Sequence, residues 1–256
     1  AIVDLSPEGH QPMSSVSGRY EMVFNGEVYN HNDLRKEMQE RGYSFRGHSD
    51  TEVMLACIEE WGLEAALRKF WGMFGIALWD RQERTLTLVR DRFGVKPMYW
   101  GRFGSTLVFG SELKALRAHP RFPEEVDRDV LALYVRHGYI PHPYSIYKGV
   151  QQLPPGAYIT FCEKNWRTAS PVTYWSAHDE AAKSLQSPFK GTDAEALGQL
   201  DALLRAAVGI RMVADVPVGA FLSGGIDSPL IVALMQAQSR TPVRTFTIGF
   251  EDKGLG

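Results

Sequence analysis

The sequence predicts an α+β domain built on antiparallel sheet, followed by the start of an α/β unit with parallel strands. Three observations predict it. Between Tyr20 and about Trp175 short β-type runs come in adjacent pairs around tight turns; from Val216 the order becomes strand, turn, helix, strand; and a polar stretch separates the two regimes. Adjacent runs close as antiparallel hairpins, whereas a helical crossover returns the second strand parallel to the first.

Ala1-Ile2-Val3-Asp4-Leu5 reads as a strand already under way, and the sequence closes on Gly254-Leu255-Gly256, so the expectation is a central piece of a longer protein. Residues 20–24 form a β run, Asn25-Gly26 follows, and Glu27-Val28-Tyr29 resumes it. That is the Asn-Gly hairpin pattern, in which both turn residues tolerate φ > 0. Ser49 and Glu52 are spaced as a capping box opening an apolar helix that runs to Trp61, with Gly62 as its stop. Residues 75–80 and 85–89 are two strands about a polar turn, and 98–102 with 106–110 are a second pair about Phe103-Gly104-Ser105.

From residue 176 the chain turns polar, holds Pro188 and Gly191, and shows neither a two-residue nor a helical period. It is the expected linker, 176–192, between a domain at 1–175 and another at 193–256. Leu197, Leu200, Leu204, Ala207 and Arg211 recur every three to four residues, giving an amphipathic helix over 194–213 weakened by Gly198 and Gly209. A strand at 216–222, a Gly-rich turn at 223–228, a helix at 229–238 and a strand at 243–250 then make a βαβ unit. A parallel sheet covered on both faces needs several more such units, so the second domain is expected to be incomplete.

Composition removes several function classes. The 256 residues carry 28 Lys and Arg against 30 Asp and Glu, a net charge of −2, with no long basic block, so bulk binding to nucleic acid is not expected. No apolar run approaches the ~20 residues of a membrane span, and no signal-peptide layout opens the sequence. Cys57 and Cys162 sit in dissimilar surroundings without a CxxC pair, and the seven histidines are scattered singly. Neither a disulfide framework nor a zinc site is expected, and a reducing cytoplasm fits best.

The chemistry concentrates at Phe221-Leu222-Ser223-Gly224-Gly225-Ile226-Asp227-Ser228-Pro229, where a strand becomes a helix. Two glycines let the backbone turn and approach a ligand, their N–H groups and the helix N-terminus can cradle anionic oxygens, and the serine hydroxyls add donors. Asp227 would repel a phosphate unless it held a divalent cation, which points to Mg²⁺ bridging carboxylate and phosphates. A plain Gly-Gly turn with Ser and Asp as helix caps accounts for the glycines alone, though less well for the whole pattern. It is not a Walker A loop, because the Gly-Lys-Ser/Thr ending is absent.

Ser223-Gly224-Gly225-Ile226-Asp227-Ser228 resembles the pyrophosphate loop of the ATP-pyrophosphatase superfamily, and Val216-Pro217-Val218-Gly219-Ala220-Phe221-Leu222 before it resembles the asparagine synthetase version. The segments Phe24-Asn25-Gly26-Glu27-Val28-Tyr29-Asn30, Ser49-Asp50-Thr51-Glu52, Arg90-Asp91-Arg92-Phe93-Gly94-Val95-Lys96-Pro97 and Ser111-Glu112-Leu113-Lys114-Ala115-Leu116 are similar, in order, to motifs of class II, N-terminal-nucleophile glutamine amidotransferases of the asparagine synthetase type. The chain is therefore identified as a member of the glutamine-hydrolysing asparagine synthetase family.

That resemblance implies an N-terminal-nucleophile glutaminase domain followed by the opening of an ATP-pyrophosphatase domain. By it, Asn25 and Gly26 form an oxyanion hole, Glu27 and Asp50 hold the glutamine amino group, and Ile2 and Val3 contact glutamine through their backbone. Leu222, Ser223, Gly224, Gly225, Asp227, Ser228 and Ile248 bind ATP, with Asp227 on the metal. Taken singly, Asn25-Gly26 reads equally as a hairpin turn, Asp50 as a first-turn helix charge, and Ile248 as a core residue of the second parallel strand. Arg90, Asp91, Arg92 and Lys96 read as a solvated loop or structural salt bridges. The implied reaction converts ATP, aspartate and glutamine to asparagine, glutamate, AMP and pyrophosphate through a β-aspartyl-adenylate and channelled ammonia, with ATP and Mg²⁺ as cofactors and a homodimer as a compatible assembly. A sugar carboxylate or a ring-closing acceptor in place of aspartate, or a non-catalytic homologue, stays open.

Members of this class use an N-terminal cysteine as nucleophile, and Ala1 is not one. The resemblance places that cysteine and a glutamine-binding arginine upstream of Ala1, and further aspartate and ATP ligands beyond Gly256. The 256 residues alone are expected to be inactive.

Overall fold

The computed structural model describes residues 3–249, which fall into two compact units divided between Gln186 and Ser187. In the first unit the strands are β1 (Met13–Ser14), β2 (Tyr20–Val28), β3 (Gly72–Asp80), β4 (Thr85–Arg90), β5 (Tyr99–Phe103), β6 (Thr106–Gly110), β7 (Val150–Gln152), β8 (Ala157–Phe161) and β9 (Val172–Thr173). Its helices are α1 (His31–Glu40), α2 (Asp50–Trp61), α3 (Leu63–Lys69), α4 (Leu113–Arg117), α5 (Arg128–His137) and α6 (Ala177–Gln186). All pairings are antiparallel, in a six-stranded sheet of order β1-β2-β3-β4-β8-β9 and a three-stranded sheet of order β6-β5-β7.

The larger sheet is buried on both faces, which explains the near-continuous apolar run of β3. Phe74, Ile76 and Leu78 pack with Leu34, Met38, Leu55, Ile58 and Leu67 of α1, α2 and α3. Ala77 points the other way and packs with Leu88, Ile159 and Phe161, and with Met98 and Trp100 at β5. Alternation along a strand puts neighbouring residues into these two layers, and each fully buried large side chain stabilises the fold by roughly 1.5–3 kcal/mol. α2 is the central helix, buried from Asp50 to Ile58.

Local expectations fared unevenly. The pairs at 75–80 with 85–89 and at 98–102 with 106–110 are hairpins within a residue or a few, with β3 starting earlier, at Gly72. The Asn25-Gly26 hairpin is not formed: both residues lie inside β2, with Asn25 opposite Gly75 and Gly26 opposite Phe74 of β3. Ser49 caps α2 by accepting from the Thr51 N–H at 3.0 Å, but Glu52 does not complete a capping box. Its carboxylate accepts instead from the Arg46 and Gly47 N–H groups, at 2.9 and 3.2 Å, tying down the loop before the helix. Of the strand expected at 1–5, Ala1 and Ile2 lie outside the described residues, and Asp4, with φ of +63°, is not in a strand. The stretch expected as a linker carries α6, a helix with no buried residue; Ala177, Ala181, Ala182 and Leu185 share one face at helical spacing, but three of the four are alanines, a weak apolar signal within a polar stretch.

The second unit holds α7 (Asp193–Gly209), β10 (Gly219–Phe221), α8 (Asp227–Gln238) and β11 (Arg244–Phe246), with β10 and β11 parallel as the βαβ reading requires. α7 opens on a reciprocal capping box between Thr192 and Glu195. Val208, Leu234 and Met235 form its small core, with Leu204, Met212, Ala220 and Val243 against it. The strands are shorter than the apolar runs at 216–222 and 243–250, the last residue of which lies outside the described residues.

Candidate active sites

In the first unit the site residues gather at one end of β2. Gly26 is the tightest point. Its φ is +148°, and a Cβ there would stand 1.9 Å from the Met73 carbonyl oxygen and 2.8 Å from the Phe74 Cα. Glycine is required because β3 closes on β2 there, not because the chain turns. Asn25 is exposed, and its Nδ2 donates to Ser111 Oγ at 2.8 Å. Glu27, next along the strand, is buried.

Asp50 reaches this end from the first turn of α2, where its Oδ2 accepts the Val28 N–H at 3.0 Å. Burial pushes the Asp50 carboxyl above its usual range, and the Val28 hydrogen bond and the nearby His31 oppose that shift. A buried carboxyl held above its ordinary range gains from a cation such as an ammonium group. The segment 47–50 is tied to the start of the described chain: the His48 N–H donates to Asp4 Oδ2 at 2.7 Å. Ser6 and His48 hold the Asp4 carboxyl below its usual range. Val3, beside it, is buried, while Ile2 lies outside the described residues. An open groove of about 690 Å³ runs past Asp4, Ser6, Gly9, Gln11 and Phe24. The Val28–Asp50 and His48–Asp4 hydrogen bonds thus join the end of β2 that carries Asn25, Gly26 and Glu27 to the segment at 47–50, and that segment to the one beginning at Val3.

Arg90 and Asp91 form neither a solvated loop nor a salt bridge. Asp91 is 1% exposed and its carboxylate accepts N–H groups of Phe74, Phe93, Val95 and Lys96 at 2.9–3.1 Å. Arg90 donates to the carbonyls of Lys96, Gly94 and Leu153 at 2.8–2.9 Å. The pair shapes the 90–97 turn and fixes Phe74, the residue opposite Gly26. Neither cysteine suits nucleophilic attack at this end of β2. Cys57 is wholly buried in the helical layer, where burial pushes its thiol up to about 12, and Cys162 follows β8.

In the second unit the 223–226 loop leaves the C-terminal end of β10 and enters α8, with Asp227 as its first helical residue. Ser223 and Ser228 latch the loop: their hydroxyls lie 2.7 Å apart, and the Ser223 N–H donates to Ser228 Oγ at 2.9 Å. Gly224 and Gly225 have no positive φ, nothing stands within 4 Å of a Cβ on Gly224, and the nearest atom to one on Gly225 is Ser223 Oγ at 3.6 Å. Among the described residues no contact demands glycine at either position. What an added side chain would occupy is the open space in front of the helix N-terminus, where anions are favoured.

The Leu222 N–H donates to the Phe246 carbonyl and its carbonyl accepts from Thr247 Oγ1, both at 2.8 Å, joining the loop to the chain after β11. Ile248 is 70% exposed and beyond β11, so it is not a core residue of that strand. Mg²⁺ is commonly held by one or two carboxylates together with substrate phosphates. Asp227 offers one such carboxylate, and among the described residues no group of three or more acidic, His or Cys side chains forms a metal cage. The loop fits a cation that arrives on a nucleotide. Sequence reasoning included Ser111 in a family motif but gave it no role, and passed over Thr247 as a partner of Leu222; the partner of each lies more than 20 residues away, which no local spacing indicates.

Known proteins match both units. The family described as glutamine amidotransferase domain matches residues 1–175, and that described as asparagine synthase matches residues 199–255. The chain is 36% identical over 264 residues to glutamine-hydrolysing asparagine synthetase 3 of Bacillus subtilis, covering 98% of this chain and 40% of that protein. It is 33% identical over 255 residues to asparagine synthetase 1 of the same organism, covering 100% of this chain and 38% of that protein. The chain thus spans about two fifths of the length of these relatives. A solved glutamine phosphoribosylpyrophosphate amidotransferase from B. subtilis aligns at 18% identity and a TM-score of 0.48, over 67% of this chain and 33% of that one.

Proposed function

This chain belongs to the glutamine-hydrolysing asparagine synthetase family, and from that premise we propose that it carries parts of two sites of an enzyme making asparagine from aspartate, glutamine and ATP. At the first, a nucleophile attacks the side-chain amide carbon of glutamine. The Asn25 amide and the Gly26 N–H stabilise the resulting oxyanion, and the buried carboxylates Glu27 and Asp50 hold the substrate's ammonium. Collapse of the intermediate releases ammonia, and water then frees glutamate.

At the second site the aspartate β-carboxylate attacks the α-phosphorus of ATP, pyrophosphate leaves, and ammonia displaces AMP from the acyl carbon to give asparagine. A free carboxylate resists amine attack, and adenylation supplies the leaving group. Ser223, Gly224, Gly225 and Ser228 receive the departing pyrophosphate, and Asp227 would hold a Mg²⁺ that supplies charge neutralisation there.

The observation that carries this reading is the pair Gly224-Gly225, which no contact among the described residues requires, set between a parallel strand and a helix N-terminus in a chain that also holds the Asn25-Gly26-Glu27 cluster. The test is Asp227→Ala in the full-length protein. Glutamine hydrolysis is expected to persist while ATP-dependent asparagine formation falls by at least about 100-fold. Unchanged synthesis refutes the metal role of the loop.

A further inference from the structure

The hydrogen bond from Asn25 Nδ2 to Ser111 Oγ joins residues 86 positions apart and crosses from one sheet to the other. Asn25 lies in β2 of the six-stranded sheet, whereas Ser111 directly follows β6, at the edge of the three-stranded sheet. The residue opposite Asn25 is Gly75. A Cβ on Gly75 would meet Met98 Cε at 3.3 Å, the Pro97 carbonyl at 3.4 Å and Ser111 Oγ at 4.0 Å, which places the segment before β5 and the end of β6 against this part of the six-stranded sheet.

We propose that Ser111 is a positioning residue for glutamine hydrolysis: it anchors the Asn25 amide so that this amide presents a donor to the oxyanion. The proposal rests on the glutaminase reading above. An amide nitrogen carries two N–H donors, and its carbonyl oxygen only accepts. Committing one N–H to Ser111 fixes the plane of the group and leaves the second N–H for the oxyanion. The terminal torsion of asparagine is broad and two-fold. Without the hydroxyl the group can turn its carbonyl oxygen toward the developing negative charge, which opposes the reaction where the N–H assisted it. A donor aimed only at the transition state affects turnover rather than substrate binding.

The test is glutamine hydrolysis by the full-length protein carrying Ser111→Ala, Ser111→Thr, Asn25→Ala, or Asn25→Ala with Ser111→Ala. The expected result for Ser111→Ala is a fall in kcat of about tenfold or more with KM within about twofold, and unchanged synthesis when ammonia replaces glutamine. Ser111→Thr, which keeps the hydroxyl, restores most of kcat. In the Asn25→Ala background, itself about 100-fold slower, removing Ser111 has little further effect because the anchored group is gone. Parent-like kcat in Ser111→Ala beside a slow Asn25→Ala overturns the anchoring role alone, as does full additivity in the double variant. Parent-like kcat in Asn25→Ala instead overturns the oxyanion-hole reading beneath it.

Discussion

Arg90 and Asp91 are adjacent in sequence and serve the backbone in opposite senses, the guanidinium collecting carbonyls and the carboxylate collecting N–H groups. A run of charges in a turn suggested a solvated loop or ion pairs. Two of its partners, Phe74 and Leu153, are far away in sequence, and no local pattern points to them. Burying a charge requires that its hydrogen-bonding capacity be filled, and here main-chain groups fill it. Removing the Asp91 carboxylate leaves buried N–H groups without an acceptor. Asp91→Ala is expected to lower the unfolding free energy by about 3 kcal/mol. Urea denaturation checks this, and a loss under about 1 kcal/mol contradicts the hub role. The same reasoning at Gly26 gives a different kind of residue, set by how closely a second strand approaches it. Of the two roles the sequence suggested for it, the hairpin turn is not formed, because Gly26 is paired within β2.

Among the elements, β2 shows why the Asn-Gly signal misled. Those two residues favour a turn when nothing else competes, but β2 pairs with β3 over nine consecutive positions, and that ladder outweighs a local preference for φ > 0. α2 was legible because a capped apolar run leaves little alternative, while α6 was hidden because it has no buried face. α7 offers a clean test of helix propensity. Gly198 lies within it, and among the described residues nothing stands within 4 Å of a Cβ placed there. Gly198→Ala is expected to stabilise α7 by about 0.5–1 kcal/mol, because alanine loses less backbone freedom on folding. A rise in the unfolding midpoint of the second unit, followed by circular dichroism, checks it; no rise means that some contact at Gly198 opposes the gain.

At the scale of the whole molecule the two units have separate cores, the first formed by three apolar clusters and the second by Val208, Leu234 and Met235 with their neighbours. The residues between α6 and the cap of α7 are exposed and irregular. Exposed irregular backbone is where proteases cut. Limited proteolysis is expected to cleave first within 187–191 and to leave a resistant fragment ending near Gln186, read by mass spectrometry. First cleavage elsewhere, inside β3 or α2 for example, contradicts this division.

The sequence by itself determined the class of each unit, because strand pairing and βαβ order follow from local periodicity and turn spacing. It also determined the family, because ordered motifs survive without reference to their partners. The glycine loop before α8 belongs to the same category, since its neighbours in space are its neighbours in sequence. Only the tertiary structure decided that Asn25 and Gly26 lie within a paired strand. It alone showed that Asp91 and Arg90 organise backbone rather than meet solvent, and that Ser111 reaches Asn25 from another sheet. Those outcomes depend on contacts between segments tens of residues apart, and chain closure over such distances leaves no periodic mark on either segment.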